Sequence, residues 1–277
     1  MAYHICAGST GRWPPRRACL PPYGVMPDLS TVHFVGDGDP DISTPAAFAS
    51  RLTRLVATGR ITPDHTSRGG TVAELEAAAA KLFGKEAALW TPTGTMANLL
   101  GIGALCATHG SRVLLPAESH VMNDAGDGLS RLLSLQPVPL ASGRVCFTAA
   151  EAVAAIDTGA TGGRVTSSIG ACVVESPVRR KHGELVPIQQ MREICAACRA
   201  RGVRCHLDGA RLDMMCSALA VGAAEIMALF DTVYLDVHKY FGAPFGALLL
   251  GTAALVESLY HEARASPTSS CFERTRS

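Results

Sequence analysis

The architecture of this chain is best inferred from one segment, Tyr234-Leu-Asp-Val-His-Lys-Tyr-Phe-Gly-Ala-Pro-Phe-Gly-Ala-Leu-Leu-Leu-Gly251. A short apolar run leads to Lys239, a Gly/Pro-rich turn follows, and a second apolar run ends the segment. This pattern is typical of two buried strands joined at one edge of a sheet. Most lysines are solvated, but Lys239 is flanked by apolar residues that are uncommon on a protein surface. We therefore expect a partly desolvated amine that can act as a nucleophile.

A second motif, His206-Leu-Asp-Gly-Ala-Arg211, ends another mostly apolar run. A carboxylate at Asp208 can face a protonated ring nitrogen, and Lys239 can bond to an aldehyde, which are the two groups that a pyridoxal phosphate (PLP) enzyme needs. Arg211 would suit the phenolate oxygen of that cofactor or a substrate carboxylate. The alternatives are that Asp208 caps the next helix and that Arg211 forms an ion pair with Asp208 or Asp213.

Alternating patterns predict an α/β fold. Six apolar runs predict strands, at 86–90, 111–115, 170–175, 203–207, 232–235 and 246–250. Helical patterns cover 45–58, 71–83, 96–106 and 188–201. Continuous apolar strands that alternate with helices indicate a mostly parallel sheet with helices on both faces.

Two further candidates follow predicted strands. Gly94 and Thr95 open a helix, whose first backbone N–H groups can bind a phosphate, although a simple helix cap explains the same residues. His120 can stack on a pyridine ring and relay a proton, although a loop histidine is more often a surface residue. In such sheets ligands bind beyond the carboxyl ends of the strands, where Asp208 and Lys239 are also expected.

Composition excludes several classes of protein. The 277 residues are 48% hydrophobic and 18% charged, with a formal charge of +1, which gives no electrostatic basis for binding nucleic acid or an anionic membrane. No stretch reaches the ~18 apolar residues of a membrane span. Residues 1–30 lack the apolar core of a secretory signal, so we expect an irregular leader.

Cysteine is frequent, but the spacing of the cysteines does not match a disulfide framework. The ten cysteines lie mostly in apolar stretches, which favours reduced, buried thiols in a cytoplasmic protein. Cys195-Ala-Ala-Cys198 has no second ligand pair at zinc spacing. We therefore expect no metal site.

The chain resembles the threonine aldolase / β-eliminating lyase family of fold-type I PLP enzymes over about residues 31–256. The specific pieces that carry the resemblance are 91–98 (Thr-Pro-Thr-Gly-Thr-Met-Ala-Asn) and 206–212 (His-Leu-Asp-Gly-Ala-Arg-Leu). Weaker pieces in the same order are 69–76, 83–86, 118–120, 174–177 and the Lys239 segment. The resemblance implies a large domain with a mostly parallel sheet of the seven-stranded type.

The resemblance also implies a role for each matched residue. Lys239 would bond to PLP, His120 would stack on its ring and assist proton transfer, and Asp208 would pair with the ring nitrogen. Arg211 would contact the phenolate oxygen or substrate carboxylate, and Gly94 and Thr95 would bind the phosphate. The implied reaction is retro-aldol cleavage of a threonine-like β-hydroxy-α-amino acid to glycine and an aldehyde. The alternatives are β-elimination, racemisation or transamination of a related amino acid, or a non-catalytic homologue.

Several positions depart from the family pattern. Gly36 stands where a serine is usual, Thr66 replaces a tyrosine, and Asp124-Ala125 replaces an aromatic-Glu pair. Near the lysine, Asp236 and His238 flank the position where a serine is common. An aspartate there would disfavour a nearby phosphate unless it points away.

The predicted domain organisation has three parts: an irregular leader over 1–30, a PLP-binding large domain over 31–256, and an irregular tail over 257–277 in place of most of a small C-terminal domain. The resemblance implies a homodimer or homotetramer that acts on a small amino-acid substrate, and the cysteine pattern favours a cytoplasmic location.

Overall fold

The structure, a computed structural model, describes residues 44–107, 109–161 and 165–265. Its centre is a seven-stranded sheet of order β1-β7-β6-β5-β4-β2-β3. β7 runs antiparallel to both neighbours, and the other four pairs are parallel. The predicted α/β fold with a mostly parallel sheet is confirmed. The strands are β1 (Ala87–Thr91), β2 (Arg112–Pro116), β3 (Gln136–Leu140), β4 (Ile169–Glu175), β5 (Arg204–Asp208), β6 (Thr232–Asp236) and β7 (Ala247–Gly251).

Strand β3 was not among the six predicted strands. Its sequence, Gln-Pro-Val-Pro-Leu, contains Pro137 and Pro139, which lack the N–H that a ladder needs. β3 lies at the edge of the sheet and pairs only with β2, so the two prolines are tolerated.

Helices cover both faces of the sheet, as predicted. They are α1 (Pro45–Ala57), α2 (Gly70–Phe83), α3 (Gly94–Cys106), α4 (His120–Asn123), α5 (Gly128–Leu133), α6 (Ala149–Thr161), α7 (Ile188–Arg199), α8 (Leu212–Leu219), α9 (Ala223–Met227) and α10 (Ala253–Ala265). Helices α2 and α6–α9 share one apolar cluster with one face, and α3, α5 and α10 pack on the other.

Helix α3 is the most deeply buried helix next to the site. It lies between the sheet and α10, and Ile102 and Leu105 are fully buried. Burying one such side chain contributes about 1.5–3 kcal/mol. Thr93 accepts the backbone N–H of Met96 and so fixes where the helix begins. The start of α3 is therefore held rigidly beside the end of β1.

The end of the described chain differs from the predicted irregular tail. Helix α10 continues through residue 257, and Leu259 is 1% exposed against the cluster that α3 shares with β1 and β7. Residues 257–265 are therefore helical, and Leu259 and Ala263 bury an apolar face of this segment. The predicted leader over 1–30, Gly36, and residues 266–277 lie outside the described residues.

Among the described helices, none is both long and apolar enough to cross a membrane.

The seven described cysteines are buried free thiols. The sulfurs of Cys172, Cys198 and Cys205 lie within 4.8 Å of one another in the core, where neighbouring strands β4 and β5 face α7. Hydrogen bonding within this cluster and burial hold the pKa of Cys172 and Cys205 well above the usual thiol value. That no metal is bound stays a prediction.

Candidate active site

Polar residues end three neighbouring strands at the carboxyl edge of the sheet. Glu175 ends β4, Asp208 ends β5 and Asp236 ends β6. Glu175 is the register partner of Asp208, which in turn is the partner of Tyr234. All four side chains are at least 97% buried. Side chains at the ends of adjacent parallel strands lie close together, so these four residues form one polar site.

Asp208 accepts hydrogen bonds at both carboxylate oxygens. The Asn98 side-chain amide donates to Oδ2 at 2.8 Å, and the Ala210 backbone N–H donates to Oδ1 at 3.2 Å. Helix α8 begins after Arg211, so Asp208 is not its cap residue. Arg211 is also buried at this edge. The structure therefore supplies a desolvated carboxylate held in one orientation.

Glu175 connects this carboxylate with His120. Its Oε2 accepts the backbone N–H of His120 at 2.5 Å, and its Oε1 accepts that of Arg179 at 3.0 Å. Burial, followed by the negative charge of Asp208, raises the pKa of Glu175 to about 7. The His120 side chain is 28% exposed, and its Nδ1 lies 4.0 Å from Asp124 Oδ2. His120 is thus anchored through its backbone while its ring remains accessible.

Replacing Glu175 by glutamine is expected to flatten the pH dependence of stability. Between the ordinary pKa of 4.5 and the raised pKa of about 7, the native protein keeps a proton that the unfolded chain loses. The wild-type free energy of unfolding therefore falls as pH rises through this window, by about 3 kcal/mol in all. Urea unfolding from pH 4.5 to 8 measures the slope. The exposed Glu74→Gln is the control, and equal slopes for Glu175→Gln and wild type would contradict the assignment.

Lys239 is paired with a buried acid. Its Nζ lies 3.2 Å from Asp236 Oδ2, and its side chain is 14% exposed. Asp236 also accepts the Tyr234 hydroxyl at 2.7 Å and the backbone N–H groups of His238 and Lys239. The His238 Nδ1 atom lies 2.6 Å from the same carboxylate. The solvated alternative for Lys239 is wrong, and Asp236 holds both the amine and the turn that carries it.

Gly94 allows a close approach at the start of α3. A Cβ atom on Gly94 would lie 1.9 Å from the Tyr234 hydroxyl oxygen, so no other residue fits without displacing that ring. The N–H groups of Met96 and Ala97 are taken by Thr93. Those of Gly94 and Thr95 come first in the helix and have no acceptor within it. This is a helix start suited to an anion.

Comparison with known proteins supports one family. The sequence profile of the β-eliminating lyases matches residues 60–266. The chain belongs to the β-eliminating lyase family. The family implies PLP as the cofactor. The groups present fit PLP, because a primary amine, a buried carboxylate and an open helix start converge at one edge. The roles of the individual residues remain predictions.

Individual relatives differ in activity. The chain is 35% identical to alanine racemase TOXG of Cochliobolus carbonum, over 68% of this chain and 48% of the relative. It is 28% identical to low-specificity L-threonine aldolase 1 of Arabidopsis thaliana, over 68% of this chain and 52% of the relative. The chain thus spans about half the length of these curated relatives.

A solved structure shows the same fold. A Listeria monocytogenes protein assigned as an L-allo-threonine aldolase superposes with a TM-score of 0.68 and is 26% identical. The match covers 84% of this chain and 60% of that protein.

Sequence reasoning missed three residues of the site. In the sequence, Asn98 and Glu175 stand only within motifs that match the family, and Tyr234 only begins the Lys239 segment. Their roles depend on partners far away in sequence, such as Asp208 for Asn98 and His120 for Glu175. A polar residue within an otherwise apolar helix or strand was the available signal.

Proposed function

We propose that this protein is a PLP-dependent lyase that cleaves a threonine-like β-hydroxy-α-amino acid by a retro-aldol reaction, giving glycine and an aldehyde. The observation that carries the proposal is the convergence of Lys239, Asp208 and His120 at one edge of the sheet, bridged by Glu175, Tyr234 and Asp236. The similarity to threonine aldolases supports the same reaction.

In the proposed reaction the cofactor supplies an electron sink for the charge left when a bond to the α-carbon breaks. Lys239 holds the cofactor covalently, and Asp208 keeps a negative charge at the ring nitrogen. The N–H groups of Gly94 and Thr95 bind the phosphate, and Arg211 faces the phenolate oxygen or the substrate carboxylate. His120 takes the proton of the substrate β-hydroxyl as a general base.

Racemisation is the second candidate, and the similarity to alanine racemase TOXG favours it. Both reactions begin at the α-carbon and need the same lysine and aspartate. They differ in the bond that breaks, since racemisation removes the α-proton and retains the β-carbon.

Product analysis separates these reactions. Purified protein with added PLP is given threonine, serine or alanine in separate assays. Retro-aldol cleavage predicts glycine and acetaldehyde from threonine, whereas β-elimination predicts pyruvate and ammonia from serine, and racemisation predicts D-alanine from L-alanine. Glycine formation that is lost in His120→Phe supports the proposal. If threonine gives no aldehyde while L-alanine gives D-alanine, the aldolase proposal is wrong and racemisation takes its place.

We further propose that residues 31–256 form the PLP-binding domain and that the protein is a cytoplasmic homodimer or homotetramer. The seven cysteines in the described part of the chain are buried free thiols, which suits a reducing compartment. Light scattering on a size-exclusion column measures the assembly, and a monomeric mass for the active protein would contradict the homo-oligomer.

A further inference from the structure

A line of buried polar side chains runs from the sheet to Asp208. Thr232 Oγ1 lies 2.8 Å from His206 Nδ1, and His206 Nε2 lies 2.8 Å from Asn98 Oδ1. The amide nitrogen of Asn98 lies 2.8 Å from Asp208 Oδ2. All four residues are at least 98% buried. The line starts at the beginning of β6, crosses β5 and reaches α3 before it returns to the end of β5.

The chemistry of these groups fixes the direction of every hydrogen bond. A carboxylate only accepts, so the Asn98 amide must donate to Asp208 and turn its oxygen toward His206. That oxygen only accepts, so His206 carries its proton on Nε2. Burial lowers the pKa of His206 to about 3, so the ring is neutral and Nδ1 is an acceptor. Thr232 therefore donates its hydroxyl proton to Nδ1.

Packing holds the imidazole in this line. A Cβ on Gly101 of α3 would lie 2.9 Å from His206 Cε1 and 2.9 Å from Leu249 Cδ1. The ring therefore fills the space that glycine leaves between the helix and the sheet. Two residues further along the same helix, a Cβ on Gly103 would meet only the Leu133 side chain, at 3.4 Å.

We propose that Thr232, His206 and Asn98 form a one-directional donor chain that fixes the orientation of Asp208 toward the cofactor ring. The inference rests on the proposed function for its role, but the proton order is independent of it. These three are positioning residues, since they act through Asp208. Every donor in the chain points toward the carboxylate, so the Asn98 N–H fixes Oδ2 in one orientation. This leaves the other edge of the carboxylate to face the ring nitrogen.

Nitrogen-15 NMR of the full chain labelled at histidine tests the proton order. We expect His206 as the neutral Nε2–H tautomer throughout the pH range in which the protein stays folded. His206→Gln identifies the signal and preserves a donor and an acceptor at the two ring-nitrogen positions. A neutral Nδ1–H tautomer, or a doubly protonated ring near pH 6, would overturn the donor chain.

Equilibrium PLP binding, measured by absorbance and by quenching of protein fluorescence, tests the positioning role. We expect Thr232→Val and His206→Leu to raise the PLP Kd about tenfold or more, and His206→Gln to restore most of the affinity. Gly101→Ala should act similarly by displacing the ring, whereas its matched control Gly103→Ala should not. The absorbance band of the bound cofactor should also shift its pH midpoint in the impaired variants, because the carboxylate opposite the ring nitrogen changes its position.

A purely structural role gives a different result. The buried Ile226→Val variant is the control, because it shows how much a modest loss of stability alone changes the PLP Kd. If Thr232→Val and His206→Leu lower Tm but leave the PLP Kd and the pH midpoint as in Ile226→Val, the positioning role is wrong. If the wild-type chain does not bind PLP at all, the proposed function fails, and the NMR tautomer still decides whether the donor chain exists.

Discussion

Lys239→Ala is expected to abolish both the covalent attachment of PLP and turnover. The wild-type protein should show an absorbance band near the visible edge when PLP is added, because the amine bonds to the cofactor aldehyde. The variant should lack this band, and its rate of substrate cleavage should fall by at least about 10³-fold, as for loss of a nucleophile elsewhere. Absorbance spectra and product formation measure the two effects.

Two further variants separate chemistry from folding. Lys239→Arg retains a cation beside the buried Asp236 but cannot form the covalent bond, so it should fold like wild type and still lack the band. Lys85→Ala removes another partly buried lysine, whose Nζ donates to the Phe230 carbonyl far from the site, and should retain the band. A normal band in Lys239→Arg would exclude Lys239 as the point of attachment.

For the Lys239–Asp236 contact, the sequence predicts the burial of the lysine but not the orientation of the aspartate. The apolar residues on either side of Lys239 predict a desolvated amine, and the side chain is 14% exposed. The sequence does not predict which way Asp236 points, because the Tyr234 hydroxyl and both the backbone and side-chain nitrogens of His238 and Lys239 compete for it. The structure shows that Asp236 accepts from Tyr234 and from its own turn. Burying a carboxylate without partners would cost free energy, and these hydrogen bonds compensate for that cost.

The fold was predictable wherever burial leaves a continuous apolar run. Every residue of β4 is buried, and the strand has no charged or polar side chain before Glu175 at its end, so it can be recognised directly. β3 could not, because at the edge of the sheet its prolines are tolerated. The part of α10 after residue 256 does not follow from the sequence pattern, because of residues 257–263 only Leu259 and Ala263 are buried. Its position depends on contacts with α3 and β1 rather than on local pattern.

The residue types of the candidate site were predictable from the sequence, but the hydrogen bonds that connect them were not. Asp208 and His120 follow strands, and the rule for parallel sheets places both at one edge. Nothing local shows that Glu175 joins them, since it lies 55 residues from His120 in sequence. Buried polar residues require partners, so Asn98 within an apolar helix implied a partner without identifying it.

Asp208→Asn is expected to cause the second large loss, of about 10²-fold or more in turnover, because a charge aimed at the reacting system disappears. It should also destabilise the protein, because both oxygens of Asp208 accept hydrogen bonds, from Asn98 and from the Ala210 N–H. An amide at this position has one acceptor oxygen and would turn its NH2 group toward one of these two donors. These two effects must be separated before the loss is assigned to catalysis. Steady-state kinetics and urea unfolding, compared at the same pH, measure them.

The double variant Asn98→Asp with Asp208→Asn separates them. The carboxylate then lies at position 98, where it accepts from His206 and from the new amide at 208, so the hydrogen-bond network and much of the stability should return. Turnover and the pH midpoint of the cofactor band should remain impaired, because the group opposite the ring nitrogen is neutral. If turnover recovers together with stability, Asp208 serves the fold rather than the ring, and its assignment as the partner of the cofactor is wrong.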